Sequence, residues 1–433
     1  MNNEILIIKK FESSAKRGTG EAYHILRENL NIDFTNSILK VALYNYAYDG
    51  QAEGSRALYV YDLIKLSKQK ELIRKNTLEK LKTEQKDTWT LSQLFELAKL
   101  YAISGDIEAK ENIYERFFTN WIFGSNWLGQ EEILELDGFA GLVYIVNKIG
   151  KYIEINPNYF EDKTLINSFQ ESAKEISVKG ELDKLAKNDK YIEIYLNHIS
   201  KCEGEKSKSP LKEEKFNFDT LKNKISNSKK ILNIKRYLKN LSESDINHIA
   251  NLFQEEKNLS KKAEYLRIFI YIKYPGNLKP VIKLAKRKES SNHSLREFSL
   301  ATLSHIKSPV IRKLAINKIR NSKDYLSFIC LLNSNYKEGD AKLLTWAAFK
   351  TKSNDSIEIL ATALTELYTL NKTKECLLPL LEIYKRSNCG IHRNSIVNIL
   401  LENNILPNQI YHEIEFDSYN ETRQLYKKIQ NVV

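Results

Sequence analysis

At 433 residues the chain is longer than a single compact core usually grows, so either two or three domains or one extended repeat array is expected. Hydrophobic residues at 42% and aromatics at 10% supply a packed interior and exclude disorder over most of the length, while only 15 Gly and 7 Pro argue against an all-β fold and for long helices joined by short turns. The net charge of +12 conceals an asymmetry: residues 221–320 hold 23 Lys+Arg against 7 Asp+Glu, a local balance of +16, and the remainder of the chain is slightly acidic.

In chain order, the first ten residues carry Glu4 where a secretory signal is basic and only Ile5 to Ile8 as an apolar run, so no signal peptide is expected. No stretch approaches the ~18 consecutive apolar residues of a membrane span. Cys202, Cys330, Cys376 and Cys389 form no C-x-x-C pair and read as reduced, mostly buried thiols. A cytoplasmic protein with no membrane association follows as the expectation. Gly18-Thr19-Gly20 lacks the spacing of a phosphate-wrapping loop and is expected to be a turn leading into a helix.

Residues 97–114, with Leu97, Ala98 and Tyr101 before a Gly105-Asp106 turn and Tyr114 after it, resemble a tetratricopeptide hairpin, although Lys110 stands where that family has a small residue. Residues 131–151 contain Gly138, Gly141 and Gly150, which break the helical pattern and suggest a joint. Glu131, Glu132, Glu135 and Asp137 form the densest acidic cluster there. Glu131 and Glu135 share a helix face, as a general acid/base pair would, but the macrodipole at a helix amino terminus accounts for them more simply. Residues 201–215 are polar, centred on Pro210, and read as a linker. The expected division is an irregular helical domain over 1–200, the linker over 201–215, and a repeat domain over 216–433.

The second half shows a repeating pattern of paired helices. First helices are expected to open near Ser260, Ser294, Lys323, Asp355 and Ile391, at steps of 29 to 36 residues. Their partners are expected over 277–289, 308–320, 338–350 and 373–387, and from Pro407 onward. A two-helix period of this length is the signature of an α-solenoid, whose pairs bury their apolar faces by stacking on neighbours. The fold class expected is therefore all-α. The run 295–319, with Arg296 and Arg312 each followed by inward apolar positions, resembles a HEAT repeat over roughly residues 260–400. That resemblance implies a curved scaffold that binds a macromolecule, and such chains also occur in bacteria as defence or immunity components.

The basic block falls on three of these segments. Over 229–241, Lys229, Lys235, Arg236 and Lys239 are expected to face away from Ile231, Ile234, Leu238 and Leu241 on one helix. Over 277–289, Lys279, Lys283 and Lys286 recur at i, i+4 and i+7, with Arg287 beside them. Over 308–320, Arg312, Lys313 and Arg320 are outward candidates, while Lys318 points toward the apolar side. Phosphates would suit such ridges, and Tyr237, Tyr271 and Tyr274 are candidates for stacking on bases. The bland alternative is a solvated lysine surface, since the chain holds 53 Lys to 14 Arg and nucleic-acid readout favours Arg.

No catalytic residue is expected. The seven histidines show no H-x-x-x-H spacing, so no metal ligand and no cofactor is assigned. The leading expectation is a non-enzymatic scaffold with a protein partner, for which Trp121, Phe123 and Trp127 are a candidate patch. Nucleic-acid binding through residues 221–320 is the alternative. A further one, implied by the HEAT-like resemblance, is a DNA glycosylase with Trp346 beside the basic block.

Overall fold

The computed structural model describes residues 3–118, 127–206, 215–229, 231–287 and 293–430. Among them the fold is all-α, with no strand. The helices start where short polar side chains can accept from the free N–H groups of a first turn: Asp87 caps with bonds from Trp89 and Thr90, and Ser242 with Asp245 forms a reciprocal capping box. The chain divides into two compact units, Met1–Lys212 with Phe416–Ser418, and Glu213–Glu415 with Tyr419–Val433.

The first unit contains α1 (Asn3–Arg17), α2 (Glu21–Glu28), α3 (Thr35–Leu43), α4 (Gly50–Glu53), α5 (Ala57–Leu66) and α6 (Lys70–Thr83). They are followed by α7 (Thr88–Ile103), α8 (Ile107–Arg116), α9 (Gln130–Ile155), α10 (Thr164–Ser172), α11 (Val178–Ala186) and α12 (Lys190–Lys206). Their inward faces make one core that includes Phe11, Tyr59, Leu94, Phe95, Ile145 and Tyr195. The hairpin read from residues 97–114 is α7–α8. Gly105 takes φ 96° in its turn, and Asp106 caps α8 by accepting from the Ala109 N–H at 3.1 Å while also binding Arg74. Lys110 lies in no small-residue seam. It donates to Asp137 at 2.6 Å, and Tyr114 donates to the same carboxylate.

The glycine-rich joint is α9. Gly138 departs from helical geometry at φ 54°, kinking the helix, and beyond the kink α9 packs along α12. At Gly150 the two backbones approach so closely that a Cβ would overlap the Tyr191 carbonyl. The acidic cluster at the start of α9 is occupied in packing: Glu135 accepts from Lys99 at 2.6 Å and Asp137 is held by α8. Glu132 differs, because it is buried, and burial raises its carboxyl to about 7, offset only in part by its own backbone N–H. The first residues of the expected linker continue α12 as far as Lys206, and residues 207–214 lie outside the described residues.

The second unit contains α13 (Phe218–Ser226), α14 (Ile234–Leu238), α15 (Glu243–Glu255), α16 (Leu259–Ile268), α17 (Leu278–Ala285), α18 (His293–Ser304) and α19 (Pro309–Asn321). A 3-10 segment, Tyr325–Leu332, precedes α20 (Ala341–Lys350), α21 (Asn354–Leu370), α22 (Leu377–Tyr384), α23 (Gly390–Glu402), α24 (Asn408–Ile414) and α25 (Asn420–Gln430). The first helices touch in sequence, α16 to α18 to the 3-10 segment to α21 to α23, while α19, α20 and α22 touch along the second row. This two-row packing is compatible with a helical repeat and encloses a second core with Phe253, Phe269, Phe328, Leu364 and Leu400.

Two expectations about elements are corrected. The first helix expected near Lys323 is the 3-10 segment, every residue of which is buried or half-buried. The helix expected over 229–241 shrinks to the five residues of α14, because Asn233 takes a left-handed φ of 56° and stops any helix from running through it.

Gly150→Ala should lower stability by about 2 kcal/mol or more, since the neighbour that must yield is a backbone carbonyl, and denaturant unfolding measures this. Glu132 titrates near 7 when folded and near 4.5 when unfolded, so the folded state holds the extra proton and loses stability as pH rises through that window. Glu132→Gln should therefore match the parent in thermal unfolding at pH 4.5 and exceed it by ~1–3 kcal/mol at pH 8.

Candidate functional site

The basic block does not form one continuous ridge. Lys235, Arg236 and Lys239 lie on or just after α14 and are exposed, whereas Lys229 sits in the preceding loop, off the helix. Tyr237 and Tyr274 are buried, packed against Phe216 and Phe269 respectively, so neither ring face is open to a base. Tyr271 is exposed, with the Lys235 ammonium 5.7 Å from its ring centroid. On α17, Val281, Leu284 and Ala285 are buried, while Lys279 and Lys283 on the helix and Lys286 and Arg287 just after it are exposed.

The remaining candidates, Arg312, Lys313 and Arg320, meet in a groove of ≈ 690 Å³ in the second unit. Pro309 occupies the first turn of α19, where its missing N–H costs nothing, and Ile311, Leu314, Ala315 and Ile319 anchor the helix in the core. The opposite stripe therefore faces outward as Arg312, Ile316 and Arg320 at i, i+4 and i+8, beside Lys313 and Asn317. Lys307 lies at one end. The facing wall is the loop after the 3-10 segment, with Asn335, Tyr336 and Lys337.

That wall is held by fully used polar groups. The Asn335 amide donates to the Ile306 and Leu331 carbonyls, both at 2.9 Å, and its oxygen accepts from the Ser308 N–H at 2.8 Å. Arg312 donates to both carboxylate oxygens of Asp340, at 2.6 and 2.8 Å, and to the Asn335 carbonyl at 2.7 Å. Its charge is thus matched within the protein, and the hydrogen bond to Asp340 raises its pKa. Lys307, Lys313, Arg320 and Lys337 have no carboxylate partner among the described residues, so the groove presents four uncompensated cations around a partly apolar floor. The charged groups of these four side chains are hydrogen-bond donors, the chemistry from which an anion accepts.

Of the apolar candidates, Trp127 is 48% exposed, and Trp121 and Phe123 lie outside the described residues. Trp346 is half-exposed, with the Lys350 ammonium 4.6 Å from its ring.

A second constellation was not anticipated. Glu358 on α21 is buried, and its carboxylate accepts from the Asn388 N–H at 2.6 Å, the Cys389 N–H at 3.2 Å and the Ser387 hydroxyl at 2.8 Å. His392 Nδ1 lies 2.7 Å from the same carboxylate, and Cys389 completes a cluster whose ligand atoms are all within 4.8 Å of one another. Burial alone would lower the His392 pKa, but its contacts with Cys389 and Glu358 outweigh that and push it up to about 9. Glu358 shows the mirror case: burial raises its pKa, yet the bonds from His392, Ser387 and Asn388 leave it lowered. The signal in the sequence was the spacing Cys389-x-x-His392, which escapes a search that pairs cysteines only with cysteines and histidines only with histidines.

No protein-family model matches this chain, and neither does any curated protein. Among the described residues no helix is long and apolar enough to cross a membrane.

Removing Arg312 takes the guanidinium from the Asn335 carbonyl and from Asp340, which keeps the Lys337 N–H at 2.8 Å, so Arg312→Ala should cost about 2 kcal/mol in denaturant unfolding. Lys313→Ala and Arg320→Ala should each stay within ~0.5 kcal/mol of the parent, because their charges hold nothing in the fold.

Proposed function

We propose that the second unit is a non-enzymatic, HEAT-like helical-repeat scaffold that holds a polyanionic macromolecule, a nucleic acid, by its phosphate backbone. One observation carries this reading: Lys307, Lys313, Arg320 and Lys337 surround a single groove without carboxylate partners among the described residues. Cations kept free of internal partners lower the free energy of an incoming phosphate chain by releasing its condensed counterions. Stacking contributes little here, since only Tyr271 of the three tyrosines is open, and the recognition expected is of backbone rather than of base sequence. The α17 ridge lies outside the groove lining and supplies a further basic surface in the same unit.

A protein partner is the second reading, and its support is apolar: Trp346 and Phe349 on α20 and Leu378 on the touching α22 are exposed at 42%, 56% and 64%.

Fluorescence anisotropy with single-stranded RNA, single-stranded DNA and duplex DNA separates the two. Binding should weaken steeply between ~50 and ~200 mM salt. Lys313→Glu with Arg320→Glu should lower the slope of log affinity against log salt by roughly 1.4–1.8, about two phosphates' worth. A protein that ignores all three nucleic acids at low salt rules out the polyanion reading and leaves the apolar one.

A further inference from the structure

Glu358, Cys389 and His392 bring a carboxylate, a thiol and an imidazole to one buried point, and each is a ligand type for a borderline divalent metal. We propose that these three side chains bind a zinc-class transition-metal ion in a three-protein-ligand site with water at the fourth position. A thiolate with an imidazole does not suit Mg²⁺ or Ca²⁺, which take oxygen ligands. This site is separate from the α19 groove and does not depend on the nucleic-acid reading.

The surroundings are arranged as an outer shell would be. Thr362 donates its one hydroxyl hydrogen to the Glu358 carbonyl at 3.1 Å, so its oxygen accepts from His392 Nε2–H at 2.9 Å. That bond fixes the ring with Nδ1 turned inward, toward Glu358 Oε2. The other carboxylate oxygen, Oε1, is fixed by the N–H groups of Asn388 and Cys389. Cys389 is the N-cap residue of α23, and its thiolate would sit at the positive end of that helix. Thr362 beside the cluster is exposed and His392 is half-buried, so solvent reaches the imidazole side of the cluster.

The ligand set also matches the ion in charge. A carboxylate, a thiolate and a neutral imidazole together carry two negative charges, which a dication cancels, so the loaded site holds no net charge where desolvation is costly. Tetrahedral ligation with bonds of ~2.0–2.3 Å places ligand atoms about 3.3–3.6 Å apart. The Nδ1 to Oε2 separation of 2.7 Å must therefore open by roughly half an ångström, as expected when a metal ion replaces a shared proton. The ion would clip α21 to the turn between α22 and α23.

Cobalt(II) reports on this directly. The full-length protein, freed of metal with a chelator and kept reduced, should bind Co²⁺ at one equivalent. Thiolate-to-cobalt charge-transfer absorption and the intense visible bands of a four-coordinate ion should appear, and Zn²⁺ should abolish both. Cys389→Ser should remove the charge-transfer band, and His392→Gln should weaken Co²⁺ binding by at least on the order of 100-fold. Cys202→Ser is the control, because Cys202 lies 3.7 Å from His198 and offers a competing Cys/His pair; it should change nothing. The proposal is overturned if the parent protein shows no charge-transfer band at two equivalents of Co²⁺, an outcome that needs no variant to fold. It is equally overturned if the band survives in Cys389→Ser or vanishes in Cys202→Ser.

Discussion

What the second unit depends on is a polar clasp that reaches from one helix pair to the chain ahead of the next. Arg296 on α18 is fully buried and pairs with Asp324, just before the 3-10 segment, with Phe328 under its guanidinium. Arg312 on α19 grips Asp340, just before α20. Glu358 on α21 gathers the N–H groups and hydroxyl of the turn before α23. Apolar faces alone would let neighbouring helices slide or rotate, because burial is roughly proportional to area and has no direction. A buried charge is directional, since leaving it without its partner costs several kcal/mol, and so each clasp sets the register of the next pair.

The same device explains why the site candidates differ in character. Arg296 and Arg312 look alike in sequence, each an arginine ahead of apolar positions, and both are consumed by clasps. Lys313 and Arg320 share a helix with Arg312 but point where no acid has been provided. A charge surplus is informative only after the paired members have been removed from it. Here that leaves Lys307, Lys313 and Arg320 in the groove, where Lys337 joins them, the basic edge at α17, and the exposed Lys235, Arg236 and Lys239 at α14.

Much of the architecture was legible because helices advertise themselves through apolar periodicity and polar caps. The segments expected after residue 259 are all helical, the one near Lys323 as a 3-10 helix, and some of them carry side-chain caps as well, as Asn277 and Ser353 do. The failures have local causes. Tyr325–Leu332 reads YLSFICLL, so apolar on nearly every side that periodicity cannot distinguish a 3-10 from an α-helix. Residues 229–241 carry a good amphipathic pattern, and it is broken by one asparagine in a left-handed conformation, which the pattern does not register. Tyr237 and Tyr274 lie in a basic block yet face the core, because a charge count contains no direction. The Glu358 cluster joins residues 31 and 34 positions apart, and only the folding of α21 against α23 brings them together.

The 3-10 segment changes how far a short run of residues reaches. At about 2.0 Å per residue its eight residues span ~16 Å, a length for which an α-helix needs about eleven residues. Rise per residue is thus an adjustable quantity in this chain, and a shortfall of a few residues can be absorbed by stretching one element instead of shifting every neighbour.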